Sequence, residues 1–280
     1  MTLSRLRRNF ALLALLSPLA ALEAQVSRYV RFAEGERVSY GILEGGGIHE
    51  LDGNPFDAGG RRTGRVFARA SVRLLAPVQP GKVIAVGLNY KSHLGDREPS
   101  PYPGLFLKLP TSIVGPGADI VMPADAANLH FEGELVVVIG RRARNVPPER
   151  AAEHVFGITA GNDVSERDWQ RDDLQWFRAK ASDTFGPLDP AVVTGLDFDD
   201  LLLQTRLNGE VVQSQRTSDL LFDVRSIVSY VSRYVTLEPG DVIYTGTPGS
   251  TRAMKPGDVV EVEVEGVGIL RNRVTRVGGS

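Results

Sequence analysis

Phe131-Glu132-Gly133-Glu134 places two carboxylates two residues apart. On an extended segment that spacing directs both to one face. The apolar run that follows, ELVVVIG over 134–140, predicts a buried strand. Two like charges on a buried face are costly unless a cation lies between them. On an edge strand the same pair would face water, as Glu261, Glu263 and Glu265 are expected to do with the same spacing. Asp163 follows a second apolar stretch, Phe156–Ala160, where a carboxylate serves either as a ligand or as a cap for the next segment. The chain has no cysteine, which excludes disulfides and thiol catalysis. Three carboxylates suit a hard ion such as Mg2+ or Mn2+, with water or substrate completing the shell.

Two further clusters carry chemistry. His93 and Asp96 are three residues apart after an apolar strand, and on one helical turn they would face the same way. A carboxylate that orients an imidazole is what a general base requires. A lone histidine is more often structural than catalytic, and His49, His130 and His154 are read that way. Arg167, Gln170, Gln175, Arg178 and Lys180 fall within a short basic and polar run. Such side chains on a loop are usually solvated; beside an acidic metal site they could instead bind the carboxylate of an anionic substrate. The turn Thr245-Gly246-Thr247-Pro248-Gly249 offers hydroxyl and backbone N–H donors, or is an ordinary Gly/Pro turn.

The elements that must position these groups are mainly strands. Residues 27 to about 75 read as short strands and tight turns, a small N-terminal β subdomain over 25–76. Strands are expected near 82–87, 105–108, 134–140, 156–160, 241–245 and 259–264. A short helix is expected over 147–154. The longest helix, with one apolar face and a Thr217 or Ser218 cap, is expected from about Ser218 to Tyr234. The fold class is therefore mostly β (α+β) with few helices, and the main domain spans 77–280.

With 280 residues, 42% of them hydrophobic, the chain can bury a large core. Its net charge of -2, without basic blocks, excludes an electrostatic nucleic-acid binder. Arg5, Arg7 and Arg8 followed by the apolar run Phe10–Leu22 and small residues to Ala24 have the order of a secretory signal peptide over 1–24, of twin-arginine type if Arg7-Arg8 is read that way. The expectation is a periplasmic or secreted protein without a stable membrane span; a misassigned start codon would instead leave it cytoplasmic.

Several segments, in order, resemble the fumarylacetoacetate hydrolase family over about residues 80 to 275. They are GLNYKSH (87–93), FLK (106–108), FEGELVVVIG (131–140), GNDVSERDWQ (161–170), AKASDTFGP (179–187), LNGEVVQSQRTSDLLF (207–222), LEPGDVIYTGTP (237–248) and KPGDVVEVEVEGVGILRN (255–272). The resemblance implies a mixed β-roll, usually a homodimer. It implies Glu132, Glu134 and Asp163 as ligands of Mg2+ or Mn2+, sometimes Ca2+. It implies Arg167, Gln170 and Thr247 as substrate contacts and Lys180 as a charge-neutralising catalytic residue. His93 and Asp96 match a catalytic pair whose second member is more often glutamate. The expected activity is hydrolysis of a C–C bond in small β-diketo acids of the acylpyruvate or fumarylpyruvate type. Isomerisation or decarboxylation of 2-oxo or 2-hydroxy-dienoic acids is the alternative on the same site, and a non-catalytic oxo-acid-binding metalloprotein is the reading from a different class.

Overall fold

The computed structural model describes residues 25–57 and 60–278, so the leader expected over 1–24 lies outside the described residues. The run Gly133–Ile139 forms a strand buried along its whole length. A continuous apolar strand needs cover on both faces. It pairs antiparallel with Val155–Asn162 on one side and Val242–Tyr244 on the other. Around it spreads a mixed sheet of 11 strands. In one direction Val242–Tyr244 runs parallel to Val83–Gly87, which pairs with the outermost strand Gly104–Lys108. In the other, Ala191–Thr194 joins Ser27–Glu34, and Arg37–Glu44, Gly47–Leu51 and Arg62–Ala68 follow. The N-terminal strands thus extend the large sheet through the pairing of Ser27–Val30 with Ala191–Thr194.

A second sheet has 5 strands, in the order Glu210–Arg216, Leu202–Leu207, Val259–Val264, Gly268–Arg276 and Ile120–Met122. Leu203, Val262 and Val264 of this sheet meet Leu135, Val137, Ile158 and Val193 of the large sheet in one core, closed by Ile227, Val228 and Val231 of a helix. Each such aliphatic side chain contributes roughly 1.5–3 kcal/mol by leaving water. Residues of opposite parity, Val136, Val138, Val192 and Tyr244, pack with Phe56 and Val78 on the other face. The result is the expected mostly β architecture with few helices. Glu261 and Glu263 lie on the outward side of their strand, beside Arg271 and Arg206. Among the described residues no helix is long and apolar enough to cross a membrane.

The longest helix is shorter than its periodicity predicts. It spans Val224–Tyr234, with Asp223 capping it by accepting the Ser226 N–H at 2.7 Å. Thr217–Asp219 is a separate 3-10 turn. Between them the backbone is claimed by Asn89: its carbonyl accepts the Leu221 N–H and its side-chain oxygen the Phe222 N–H, both at 2.8 Å. A tertiary hydrogen bond therefore overrides the local helical pattern.

Candidate metal and substrate site

The register of two central strands builds the acidic centre. Gly133 faces Asn162 and Glu134 faces Gly161. Asp163, the next residue, donates its backbone N–H to the Glu132 carbonyl at 2.8 Å, and Asn162 Oδ1 accepts the Glu132 N–H at 2.9 Å. Gly133 has no room for a side chain, since a Cβ there would lie 2.0 Å from Thr205 Oγ1. That close approach seats the strand on the second sheet with Glu132 and Glu134 on a common side. The carboxylates of Glu132, Glu134 and Asp163 are all buried, and one oxygen from each lies within 4.8 Å of the others.

Lys180 and Arg167 meet this cluster, as does Lys108, which sequence reasoning missed. Lys180 Nζ donates to Glu132 Oε2 at 2.7 Å and to Asp163 Oδ2 at 2.6 Å. It is fully buried, not solvated, because the short helix Phe177–Ala181 turns residues 179–181 inward. Lys108 Nζ donates to Asp163 Oδ1 at 2.5 Å and to the Lys180 carbonyl. Arg167 donates to Glu132 Oε1, to Thr251 Oγ1 at 3.0 Å and to Gln170 Oε1 at 2.6 Å. On the same strand as Lys108, the Phe106 ring carries Lys180, with Nζ 4.9 Å from its centroid.

These contacts split the protonation behaviour of the carboxylates. Burial alone would raise Glu132, but Lys180, Arg167 and His93 hold it well below the usual range. Glu134 is pushed well above that range, first by burial and then by Asp163 and Glu132; the Gly246 N–H, at 2.7 Å from Oε2, offsets only part of this. Burial lowers Lys180, yet Asp163 and Glu132 together raise it above an ordinary lysine. Lys108 stays below, because burial and the Lys180 charge outweigh its one carboxylate.

The donor set fits a hard divalent cation. Glu132 and Asp163 have ammonium or guanidinium partners, whereas Glu134 has no cation in contact among the described residues. Each carboxylate offers about four lone-pair positions, so the lysine contacts leave sites free. Two bonds of up to about 2.6 Å from one ion reach about 5.2 Å, which covers the separation of these oxygens; the shorter bonds of Mg2+ ask the carboxylates to draw in.

The cluster opens into a cavity of about 1040 Å³ lined also by His93, Asp96, Gln170 and Thr247. His93 does not pair with Asp96. Its Nδ1–H donates to the Gly249 carbonyl at 2.5 Å, and Nε2 lies 3.7 Å from Glu132 Oε1, too long for a hydrogen bond. The expected helical turn stops short: Lys91–His93 is a 3-10 turn, and Gly95 at φ +60° sends the chain off before Asp96. Asp96 is exposed. Thr247 is buried and saturated, donating to the Gly133 carbonyl at 2.9 Å and accepting from Gln213 Nε2 at 2.8 Å. Gln213, not anticipated from sequence, holds that turn by a further bond to the Pro248 carbonyl. Arg178 is engaged with Asp173 instead. His130 is structural as expected, bridging Thr251 and Asn128; burial, then Arg167, lower it to about 4.

The family described as "Fumarylacetoacetate (FAA) hydrolase C-terminal" matches residues 82–275, and "Rv2993c-like, N-terminal" matches 27–77. The structure of a 5-carboxymethyl-2-hydroxymuconate delta-isomerase from Mycobacterium smegmatis is 48% identical with a TM-score of 0.85, covering 89% of this chain and 99% of that one. A 2-hydroxyhepta-2,4-diene-1,7-dioate isomerase from Mycobacterium marinum is 43% identical with a TM-score of 0.84, covering 90% and 100%. A mitochondrial oxaloacetate tautomerase from Homo sapiens is 42% identical over 224 residues, 75% of this chain and 71% of the relative. The expectation of a periplasmic or secreted location is corrected by these relatives: the human and bovine tautomerases are mitochondrial. The chain belongs to the fumarylacetoacetate hydrolase family.

Proposed function

We propose that this chain is a divalent-metal-dependent isomerase or tautomerase of small 2-oxo acids, working by proton transfer at the carbon beside the oxo group. The observation that carries the reading is the state of His93. A carbonyl can only accept, so the bond to Gly249 puts a ring proton on Nδ1 and turns Nε2, the nitrogen left to exchange a proton with substrate, towards the acidic cluster. Proton abstraction from a carbon acidified by a neighbouring carbonyl suits such a base. The names of the relatives, two isomerases and a tautomerase, support the same choice.

Glu132, Glu134 and Asp163 would hold the ion, with Mg2+ or Mn2+ favoured by the all-oxygen donor set and Ca2+ next. Such an ion supplies Lewis-acid stabilisation for negative charge growing on a substrate oxygen. His93 Nε2 takes the proton, the C–H electron pair becomes the enolate double bond, and the proton returns to the same carbon, a conjugated carbon or the oxygen. Lys180, fixed between Glu132 and Asp163, adds positive charge where the enolate forms. Arg167, held by Gln170 and Thr251, presents a guanidinium for the substrate carboxylate. Thr247, tied down by Gly133 and Gln213, acts through the shape of its turn. Cleavage of a C–C bond ranks below this, because it asks His93 to activate water and Asp96 gives it no support.

The test is solvent-deuterium exchange into 2-oxo acids, followed by NMR with the Mg2+-loaded chain, alongside acetylpyruvate breakdown. Exchange at the carbon beside the oxo group without cleavage is the expected result. Cleavage of acetylpyruvate without exchange into any 2-oxo acid would overturn the reading in favour of the hydrolase. Binding without exchange or cleavage would favour a non-catalytic binder.

A further inference from the structure

The cations that line the cavity are not equivalent. Lys180 is bound to Glu132 and Asp163, and Arg167 to Glu132. Arg171 is bound to Asp168 at 3.0 Å and to Asp172 at 2.8 Å. Arg97 also lines the cavity, and among the described residues it has no carboxylate within ion-pair distance. Asp96 and Glu98 flank it in sequence and are exposed, yet neither pairs with it. The chain around it is shaped: Gly95 takes φ +60°, and the Arg97 N–H donates to the Leu94 carbonyl at 3.3 Å, closing a turn directly after His93.

We propose that Arg97 is a specificity-determining residue that receives the second carboxylate of a dicarboxylic 2-oxo acid, whose oxo end lies at the Glu132, Glu134 and Asp163 cluster. This rests on the 2-oxo acid reading above and narrows it to diacids. Lys180 and Arg171 would have to give up ion pairs to hold a distal anion, and Arg167 is already assigned to the carboxylate beside the oxo group, whereas Arg97 has no ion pair among the described residues. Its planar fork matches a carboxylate with two parallel N–H bonds. It also sits four residues after His93, and both line the same cavity.

Calorimetric titration of the Mg2+-loaded full chain with 2-oxoglutarate and 2-oxopentanoate tests this, since the two acids have equal chain length and differ in the distal carboxylate. The wild type should bind the diacid more tightly by about tenfold or more. Arg97→Gln should collapse that ratio towards one, and Arg97→Lys should keep part of it. Equal binding of the two acids by the wild type, a ratio that survives Arg97→Gln, or a collapse in Arg171→Gln instead would overturn the assignment. Deuterium exchange in the same samples separates the two ideas: a ratio that depends on Arg97 without any exchange would keep the anion site and sink the isomerase reading.

Discussion

His93 Nδ1 lies 2.5 Å from the carbonyl oxygen of Gly249, so the loop after the Thr245–Pro248 turn selects the tautomer of the proposed base. The same loop is held from below by the Gly246 N–H on Glu134 and from the side by the Ser92 hydroxyl, which accepts the Gly249 N–H at 2.9 Å. The base and the metal cluster therefore share one support.

Replacing His93 by Gln should lower the exchange rate by about 10²–10⁴-fold while Mn2+ affinity persists. Asp96→Asn should leave exchange close to the wild-type rate, because Asp96 makes no bond to the ring. Equal collapse in both variants would mean that the two residues act as a pair during turnover.

Glu134→Gln keeps an acceptor for the Gly246 N–H and removes a carboxylate that burial disfavours in its charged form. The metal-free variant should melt no lower than the wild type. Mg2+ or Mn2+ should raise the melting temperature of the wild type, as any ligand of the native state does, and fail to raise that of the variant.

Lys108→Met leaves Asp163 Oδ1 without its buried cation. The cost should be about 3 kcal/mol, read as a lower urea midpoint without metal. Mg2+ should recover part of it, since the ion restores positive charge beside Asp163.

Asp189 lies outside the site, with Oδ1 accepting the Ala191 N–H at 3.1 Å and Oδ2 buried without a partner. Burial raises its carboxyl from 3.8 to about 6. The folded state thus holds a proton that the unfolded state releases, so stability is full below 3.8 and declines as pH rises through 6. Asp189→Asn should abolish that decline and gain up to about 3 kcal/mol at neutral pH. Unchanged urea midpoints for the variant at pH 5 and pH 7 relative to wild type would contradict this.

Alternation on a strand and the ends of two apolar runs are local signals that located Glu132, Glu134 and Asp163, but they left a solvent face and a cap open, and the family resemblance was what singled the three out as ligands. Lys180 was visible as a candidate, but its burial depends on the inward turn of Phe177–Ala181, which short-range periodicity does not encode. Lys108 and Gln213 act across strands far apart in sequence, and a single Lys or Gln on a strand gives no hint of its partner. The length of the helix and the placement of Asp96 relative to His93 differ from expectation for one reason. Both expectations assumed helical continuity that Asn89 and Gly95 interrupt, the first by tertiary hydrogen bonds and the second by a left-handed backbone.

Anomalous diffraction from Mn2+-soaked crystals of the full chain addresses the central claim most directly. One strong peak, coordinated together by Glu132, Glu134 and Asp163 and facing His93, is the expected result. Mn2+ bound elsewhere with those carboxylates still held only by Lys108, Lys180 and Arg167 would contradict the account.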